Sequence, residues 1–223
     1  MSRQGPRRTD RLQVYPPLRA WCTIAAPVNA SLDPIALFQD WFEAAHHVGL
    51  PEPAAMAMAS VAADGQPSVR MVLLRGLDER GFVFFTNLNS RKAHELLRPG
   101  SRASLCFYWP PLTRQVRVEG TAERVDDAEA DAYWATRPRG HQVAAYASPQ
   151  SEPLRGGEQE LAARFAEFEA KLPATHVPRP AYWSGFRVIP TAIEFWEGRE
   201  NRLHRRVLYV KTEGGWTETT LAP

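Results

Sequence analysis

The sequence predicts an α+β fold in which an antiparallel sheet closes into a barrel. Short apolar segments rich in Val, Ile, Phe and Trp recur along the 223-residue chain and are separated by polar turns or turns that contain Pro and Gly. Helical patterns lie between some of these segments, an order typical of an antiparallel α+β barrel. The sequence contains no Gly-rich phosphate loop of the dinucleotide or P-loop type, which disfavours the classical nucleotide-binding folds.

The N-terminal part divides into an arm and the start of the folded domain. Residues 1–30 contain Arg and Pro with little periodicity, and we expect an arm that is mobile or is ordered only by a ligand or partner. Residues 31–223 are predicted to form one domain. Its first helix begins with Asp33 as N-cap and Pro34 at the first helical position, and ends at Gly49. Leu37, Trp41 and Ala44 are expected to lie on one face of this helix.

Three strands are predicted in the next part of the chain. The first covers 54–62, and the turn at 63–66, with sequence ADGQ, makes a hairpin between this strand and the second, 70–77. The polar turn at 78–81 then leads into the third strand, Phe82–Thr86.

A short helix is predicted over 91–97, with Ser90 as its N-cap and Pro99 and Gly100 just beyond its end. Its first turn carries Arg91 and Lys92. Each of these cations faces the positive end of the helix dipole, which is unfavourable by about 0.3–1 kcal/mol. Free backbone N–H groups, the dipole and the two cations together favour a bound phosphate. The alternative is an ordinary basic surface turn.

The rest of the chain alternates strands and helices. A strand pair is predicted over Ala103–Trp109 and Arg114–Arg124, and Asp126 then caps a helix that runs to Arg137. Residues 139–157 are expected to be irregular. The later predicted elements are a helix at Glu158–Lys171, a Pro-rich connector at Pro173–Pro180, and strands at roughly Gly185–Val188, Ala192–Glu197, Leu203–Val210 and Trp216–Leu221.

Composition and spacing argue against several classes of protein. Lys and Arg number 27 against 25 Asp and Glu, a net charge of +2 that is too balanced for a general nucleic-acid binder. Cys22 and Cys106 show no paired spacing, so neither a disulfide framework nor a zinc site is indicated, and we expect a cytoplasmic protein. The six histidines show no metal-ligand spacing, so no metal is expected. No apolar run approaches the ~20 residues of a membrane span, and the Arg-rich N-terminus lacks the apolar segment of a secretory signal.

Six separated motifs resemble the pyridoxamine 5′-phosphate oxidase family in order and spacing. They are RMVLLR (70–75), FFTNLNSRKAHELL (84–97), RQVRVEG (114–120), YWATRPRG (133–140), QS (150–151) and EFWEGRENRLHRR (194–206). The resemblance covers the chain from about residue 30 onwards. It implies an FMN-binding split β-barrel, an antiparallel barrel of the six-stranded type with flanking helices. It also implies a homodimer with two FMN sites in the subunit interface, each lined by both chains.

The resemblance further implies the oxidation of pyridoxine or pyridoxamine 5′-phosphate to pyridoxal 5′-phosphate, with a hydride passed to FMN and electrons then passed to O₂. Residue by residue, the implied cofactor-binding residues are Arg70, Met71, Val72, Leu73, Leu74, Arg75, Phe85, Thr86, Arg91, Lys92, Gln115, Gln150, Ser151, Trp196 and Arg206. Among these, the FMN phosphate is assigned to Arg70, Arg91, Lys92 and Ser151, and the flavin ring to Gln115. Trp196 and Arg206 are expected to come from the partner chain.

The implied substrate residues fall into two groups. The substrate phosphate is assigned to Arg75, Tyr133, Arg137 and His141. The substrate ring is assigned to Arg202, Leu203 and His204, of which Arg202 and His204 are the expected catalytic residues.

The residues alone leave simpler alternatives open. Side chains alternate along a strand, so Arg70 and Arg75 are expected to point to opposite faces. Tyr133 and Arg137 are spaced i,i+4 on a helix and could be a surface pair. Gln115 could simply be solvated, Trp196 could be a core residue, and the arginines around His204 could form an exposed charge run.

Three positions depart from the motifs of the family. Arg75 and His141 replace the usual lysine and serine, and Arg205 replaces the acid of the RLHDR motif. Arg75 keeps the charge but is larger and forked. These departures leave two rival functions open: a flavin oxidase of the same fold that acts on a different substrate, as in phenazine biosynthesis, and a non-catalytic protein that binds FMN or pyridoxal phosphate.

Overall fold

The computed structural model describes residues 33–223, which form one nine-stranded antiparallel sheet with five α-helices around it. The arm predicted for residues 1–30 lies outside the described residues. The helices are α1 (Pro34–His47), α2 (Arg91–Leu96), α3 (Asp127–Thr136), α4 (Arg139–Ala147) and α5 (Gly157–Lys171). The strands are β1 (Ala55–Val61), β2 (Pro67–Leu73), β3 (Gly76–Asp78), β4 (Gly81–Asn87), β5 (Arg102–Trp109), β6 (Arg114–Arg124), β7 (Trp183–Glu197), β8 (Arg205–Thr212) and β9 (Gly215–Leu221).

The sheet curls into a barrel because the two ends of its strand path are adjacent in the chain. The path is β2-β1-β5-β6-β7-β4-β3, and only Leu74 and Arg75 separate β2 from β3. Backbone hydrogen bonds from these two residues reach Ala54 and Val83, on opposite sides of the junction. The remaining strands, β8 and β9, extend the sheet beyond β7. The predicted antiparallel α+β barrel is therefore confirmed.

Helix α1 fills the interior of the barrel. The Asp33 side chain accepts a hydrogen bond from the Ile35 N–H at 2.9 Å, which confirms the predicted N-cap. Phe38 is fully buried, with its ring edge-on to Phe82 at 4.9 Å and to Phe107 at 4.8 Å between centroids. Trp41 is buried, whereas Leu37 and Ala44 on the same face are only partly buried, and the buried stripe runs through Ile35, Phe38, Trp41, Phe42 and Ala45.

Two predicted segments were wrong, because regular secondary structure resumes directly after Pro138 and continues through Pro190. Pro138 ends α3 but also occupies the N-cap position of α4, so part of the segment expected to be irregular is a helix. Pro190 lies inside the single long strand β7, which was predicted as two strands. It is tolerated because the β6–β7 register shifts opposite Glu119 and Gly120, where Thr191 of β7 is an extra, unpaired residue that forms a bulge. A Cβ on Gly120 would lie 2.0 Å from the Ile189 carbonyl oxygen, so glycine permits this close approach.

The predicted strand over 70–77 also differs, since it is divided into β2 and β3 with a break at Leu74 and Arg75. The hairpin at 63–66 is confirmed by the pairing of β1 with β2. Ser90 occupies the N-cap position of α2, but its hydroxyl donates to the Asn87 carbonyl at 2.7 Å and does not cap the helix. Within residues 33–223, none of the helices combines the length and the apolar character needed to cross a membrane.

Candidate functional site

A cavity of about 1020 Å³ lies between α1, the β2–β4 edge of the barrel, and helices α3 and α4. The break between β2 and β3 places Arg75 on its wall. The predicted site residues that line this cavity are Met71, Val72, Leu73, Leu74, Arg75, Phe85, Thr86, Lys92, Tyr133, Arg137, His141 and Gln150. Predicted cofactor and substrate residues from four separate motifs thus meet in one place.

Lys92 is a buried cation whose contacts are neutral oxygens. Its Nζ donates to Thr86 Oγ1 and Ser90 Oγ at 3.2 Å and to Gln150 Oε1 at 3.3 Å. Burial, and next the neighbouring Arg70 cation, lower the pKa of Lys92 to about 8, against the opposing effect of Glu95. Within residues 33–223 no carboxylate lies within ion-pair distance of this ammonium group. A buried charge of this kind is stabilised by an anion, so the wall around Lys92 is suited to a phosphate.

Arg91 and Ser151 lie beside the Lys92 cluster. The Arg91 backbone N–H donates to Ser151 Oγ at 3.3 Å, and both residues line a smaller cavity of about 430 Å³ next to α2. Gln150 also accepts a hydrogen bond from Thr86 at 3.2 Å, which ties the 150–151 segment to β4. The structure therefore brings together most of the residues predicted to bind the cofactor phosphate.

Arg70 is placed differently from the other predicted phosphate residues. It lines neither cavity, and its guanidinium group donates to Ser60, Ser68 and Glu95. Glu95 Oε1 also accepts from Arg91 Nε at 2.9 Å, so one carboxylate contacts both arginines. The parity argument for Arg70 and Arg75 does not apply, because β2 ends at Leu73, before Arg75.

The large cavity has a second cationic region, formed by Arg75 and Arg137, and aromatic rings pack against it. The Arg137 guanidinium carbon lies 4.7 Å from the ring centroid of Trp183, and Arg137 NH2 donates to the His141 carbonyl at 2.9 Å. Tyr133 stacks on Phe85 with centroids 4.1 Å apart and an interplanar angle of 11°. These contacts fix the guanidinium plane and the phenol against the wall that Arg75 and His141 share.

The remaining predicted residues form a row on the outer face of the sheet. Gln115 on β6 pairs with Trp196 on β7, which pairs with Arg206 on β8. The His204 ring lies 4.8 Å from the Trp196 ring, and His204 Nδ1 accepts from the Arg199 N–H at 3.2 Å. None of the residues in this row lines the large cavity, and neither do Arg202 and Leu203.

Two buried carboxylates and one tryptophan were missed by the sequence analysis. Glu194 accepts from Arg206 Nε at 2.8 Å and from Arg117 NH2 at 2.6 Å, and its alternation with Trp196 on one strand face is the signal that could have revealed it. Glu95 follows Arg91 at i,i+4, a spacing that marks an ion pair on a helix. Trp183 gave no signal in the sequence, because its stacking partners come from distant segments.

The outer face of the sheet exposes a patch of large apolar side chains. The alternation and register of strands β1, β2, β5 and β8 place these residues on one face: Val61, Val69, Met71, Tyr108 and Val210. Val69 and Met71 are 69% and 64% exposed. Large apolar side chains exposed together on one face of a sheet are typical of an interaction surface.

Comparison with known proteins accounts for this arrangement. Residues 42–172 match the family described as pyridoxamine 5′-phosphate oxidase, and residues 183–223 match the pyridoxine 5′-phosphate oxidase C-terminal dimerisation region. The pyridoxine/pyridoxamine 5′-phosphate oxidase of Rubrobacter xylanophilus is 54% identical over 87% of this chain and 89% of its own length. The protein of the same name from Myxococcus xanthus is also 54% identical, over 86% of this chain and 92% of its own length.

Solved structures agree in fold. PhzG from Burkholderia lata 383, crystallised with tetrahydrophenazine-1-carboxylic acid, is 33% identical with a TM-score of 0.81, over 90% of this chain and 98% of its own. A pyridoxamine 5′-phosphate oxidase-related, FMN binding protein from Nostoc punctiforme is 18% identical with a TM-score of 0.69, over 86% of this chain and 99% of its own, and shares the split-barrel fold. From the extent of these matches, the chain belongs to the pyridoxamine 5′-phosphate oxidase family.

Proposed function

We propose that this protein is an FMN-dependent oxidase that converts pyridoxamine 5′-phosphate or pyridoxine 5′-phosphate to pyridoxal 5′-phosphate, with O₂ as the electron acceptor. The observation that carries the proposal is the presence of two cationic regions on one cavity. Lys92 defines the first, and Arg75 with Arg137 defines the second. The reaction has two phosphate-bearing ligands, the cofactor and the substrate, and each cationic region suits one of them. The names of the close relatives support the same reaction.

The residues present fit a phosphate-bearing flavin. Lys92 is buried among neutral oxygens, and Arg91 and Ser151 lie beside it, so this region suits the FMN phosphate. When bound, FMN supplies the redox chemistry by accepting a hydride from the substrate. In this proposal the chain supplies binding and orientation, with Gln115 available to hydrogen-bond the flavin ring.

The substrate phosphate is assigned to Arg75, Tyr133, Arg137 and His141, and the substrate ring to Arg202 and His204. His204 Nδ1 accepts from a backbone N–H, which places the proton of the neutral imidazole on Nε2. Nε2 can therefore donate a hydrogen bond to a polar group of the substrate. If His204 and Arg202 assist proton movement, their contribution is about 10²- to 10⁴-fold.

Oxygen consumption by the purified, FMN-loaded protein tests this function. We expect O₂ uptake and pyridoxal 5′-phosphate formation when pyridoxine 5′-phosphate or pyridoxamine 5′-phosphate is added. FMN binding without O₂ uptake on any substrate would favour a non-catalytic binding protein. O₂ uptake with tetrahydrophenazine-1-carboxylic acid, the ligand named for PhzG, but not with the two vitamers would favour the phenazine-type oxidase.

We also propose that the working unit is a homodimer in the cytoplasm. The match to a dimerisation region and the exposed apolar face of the sheet support the dimer. The location of Trp196 and Arg206 off the cavity supports the same assembly, since these residues reach a flavin only if it is held by a second chain. Such an interface is expected to bury about 2,000 Å² or more. The lack of paired cysteine spacing supports the location.

Light scattering tests the dimer and its surface. We expect a mass of twice the 25.1 kDa of one chain, and a smaller dimer fraction for Val69→Glu, which puts a charge into the apolar face. Val48→Glu is the matched control, because Val48 is also exposed but lies at the end of α1, away from that face. A fully active monomer, or equal effects of the two substitutions, would contradict the proposed interface.

The pH dependence of substrate affinity tests the role of His141. Burial, and then the Arg137 and Arg75 cations, lower the pKa of His141 from its ordinary value. A bound phosphate raises this pKa again, so the affinity that His141 adds is present at low pH and fades as pH rises through the bound-state pKa. A difference of one pKa unit between the free and bound states corresponds to about tenfold in affinity.

We therefore expect KM for pyridoxine 5′-phosphate to rise more steeply from about pH 6 to about pH 8 in the wild-type enzyme than in His141→Ser. Serine is the suitable replacement because it donates a hydrogen bond to phosphate without titrating. Parallel curves for the two proteins would remove His141 from the phosphate site and leave the phosphate to Arg75, Tyr133 and Arg137.

A further inference from the structure

We infer that Glu95 is a positioning residue, which holds Arg70 in place and aims the guanidinium group of Arg91 at the cofactor phosphate. The inference rests on the proposed FMN site and adds to it a carboxylate that the motif comparison did not assign. A carboxylate beside a phosphate site is unexpected, since the two anions repel each other. Its contacts explain why it is there.

The carboxylate of Glu95 uses both oxygens to hold the two arginines. Oε1 accepts from Arg91 Nε at 2.9 Å. Oε2 accepts from Arg70 NH2 at 3.2 Å, from Ser60 Oγ at 2.5 Å and from Ser68 Oγ at 2.7 Å. Because Nε of Arg91 is taken, its terminal fork of NH1 and NH2 is the edge turned away from Glu95. That fork is the part of an arginine that binds a phosphate through two parallel hydrogen bonds.

The cluster also joins α2 to the β1–β2 hairpin. Ser60 pairs directly with Ser68, and Arg70 lies two residues beyond Ser68 on the same strand face. Arg70 NH1 donates to Ser60 Oγ at 2.6 Å and NH2 donates to Ser68 Oγ at 2.5 Å. Glu95 reaches this face from α2 and its side chain is only 5% exposed. The start of α2, which carries Arg91 and Lys92, is thereby fixed relative to the barrel.

Glu95 stays ionised in this setting. Burial alone would raise the pKa of this carboxyl, but the hydrogen bonds from Ser60, Ser68, Arg91 and Arg70 outweigh burial and lower the pKa to about 2. Arg70, Arg91 and Lys92 provide three positive charges and Glu95 one negative charge, which leaves +2. A phosphate monoester carries about −1.5 to −2 at neutral pH, so the four side chains together balance the proposed ligand.

The test compares FMN with riboflavin, which has the same ring but no phosphate. For Glu95→Gln, which keeps the shape but has one oxygen for four donors, we expect the Kd for FMN to rise by about tenfold or more. The Kd for riboflavin is expected to stay within about twofold, because the ring contacts lie elsewhere. Glu169→Gln is the matched control, since Glu169 is an exposed carboxylate on α5 with an arginine partner. It is expected to change neither value.

The other outcomes are equally informative. Equal losses for FMN and riboflavin would mean that Glu95 only maintains the fold, and unchanged or tighter FMN binding would mean that it only repels the phosphate. Either result overturns the inference. If Lys92→Met also leaves the ratio of FMN to riboflavin affinity unchanged, the proposed phosphate site itself fails. If Glu95→Gln does not fold, Ser68→Ala removes one contact to Glu95 and one to Arg70, and the same FMN-selective loss is expected at smaller size.

Discussion

Lys92→Met is expected to weaken FMN binding by about 10- to 100-fold while leaving the barrel folded. The estimate corresponds to the loss of one charge-assisted hydrogen bond, about 1.5–3 kcal/mol. Methionine keeps most of the apolar stem of the lysine, so the packing around Thr86 and Ser90 is preserved. Without its phosphate, the wild-type site holds this ammonium with three neutral oxygens only. Removing the cation therefore harms the loaded state more than the empty one.

The pH dependence of the Kd for FMN is a second test of the role of Lys92. The pKa of Lys92 is about 8 in the structure, and a bound phosphate dianion raises it. The affinity that Lys92 adds is therefore complete below about pH 8 and is lost as pH rises through the bound-state pKa. We expect the Kd for FMN to rise in the wild-type protein between about pH 7 and pH 9, where the phosphate stays dianionic. The Kd of Lys92→Met is expected to stay flat over the same range.

Lys171→Met is the matched control, because Lys171 is an exposed lysine on α5 whose partner is Glu167. Its FMN affinity and pH dependence are expected to equal those of the wild-type protein. Isothermal titration of the apoprotein, or quenching of flavin fluorescence, measures all three proteins. An unchanged Kd in Lys92→Met would remove Lys92 from the phosphate site.

Secondary-structure elements were predicted correctly where they depend on residues that are close together in the sequence. The Asp33 N-cap, the hairpin at 63–66 and the β5–β6 pair all depend on residues close together in the chain, and the structure confirms them. The segment predicted to be irregular after Pro138 and the gap predicted between Val188 and Ala192 were wrong, because α4 begins directly after Pro138 and β7 continues through Pro190. Pro190 is accommodated by a bulge at Thr191 of β7, and this bulge is defined only by the pairing of β7 with β6.

The candidate site was also predictable only in part, because some of its features are local in the sequence and others depend on distant contacts. The two cations at the start of α2 break a local rule, and the structure gives Lys92 a buried position that suits an anion. The contacts of Glu95 with Arg70 and of Glu194 with Arg206 join different secondary-structure elements, so strand parity and helix spacing place each carboxylate on a face but do not reveal these partners. The motif resemblance predicted a set of cofactor and substrate residues but not the carboxylates that contact Arg70, Arg91 and Arg206.

Arg202→Ala is expected to leave the protein yellow and dimeric but to lower kcat/KM by about 10²-fold or more. Removing one partner of a desolvated charge contact typically costs about 2–5 kcal/mol. Arg202 and Asn201 adopt left-handed backbone angles, with φ of 60° and 55°, in the turn before β8. Non-glycine residues in this region are strained by about 1–3 kcal/mol each, and such strain is found most often at functional sites. The turn carries Arg202 and leads directly to His204, whose ring lies 4.8 Å from the Trp196 ring.

Arg199→Ala is the matched control for this substitution. Arg199 belongs to the same turn, is exposed like Arg202 and loses the same charge, but its only ion pair among residues 33–223 is with Glu197 at 3.7 Å and it is not assigned to the substrate. Its kcat/KM is expected to stay within about twofold of the wild-type value. Loss of flavin from Arg202→Ala, with normal kinetics in the loaded fraction, would show that Arg202 serves the cofactor and not the substrate.

Mixing Lys92→Met with Arg202→Ala at limiting FMN, where each variant alone is impaired, distinguishes a site shared between chains from a site within one chain. Lys92 lines the cavity and Arg202 does not, so in the proposed homodimer each site takes its cavity from one chain and its Arg202 from the other. In a heterodimer of Lys92→Met with Arg202→Ala, one site then carries both defects and the other carries none. Random re-association of equal amounts makes about half of the dimers mixed, so about a quarter of the wild-type activity should return at limiting FMN. If each site lay within one chain, both sites of the heterodimer would remain defective, and the mixture would be no more active than the average of its two components.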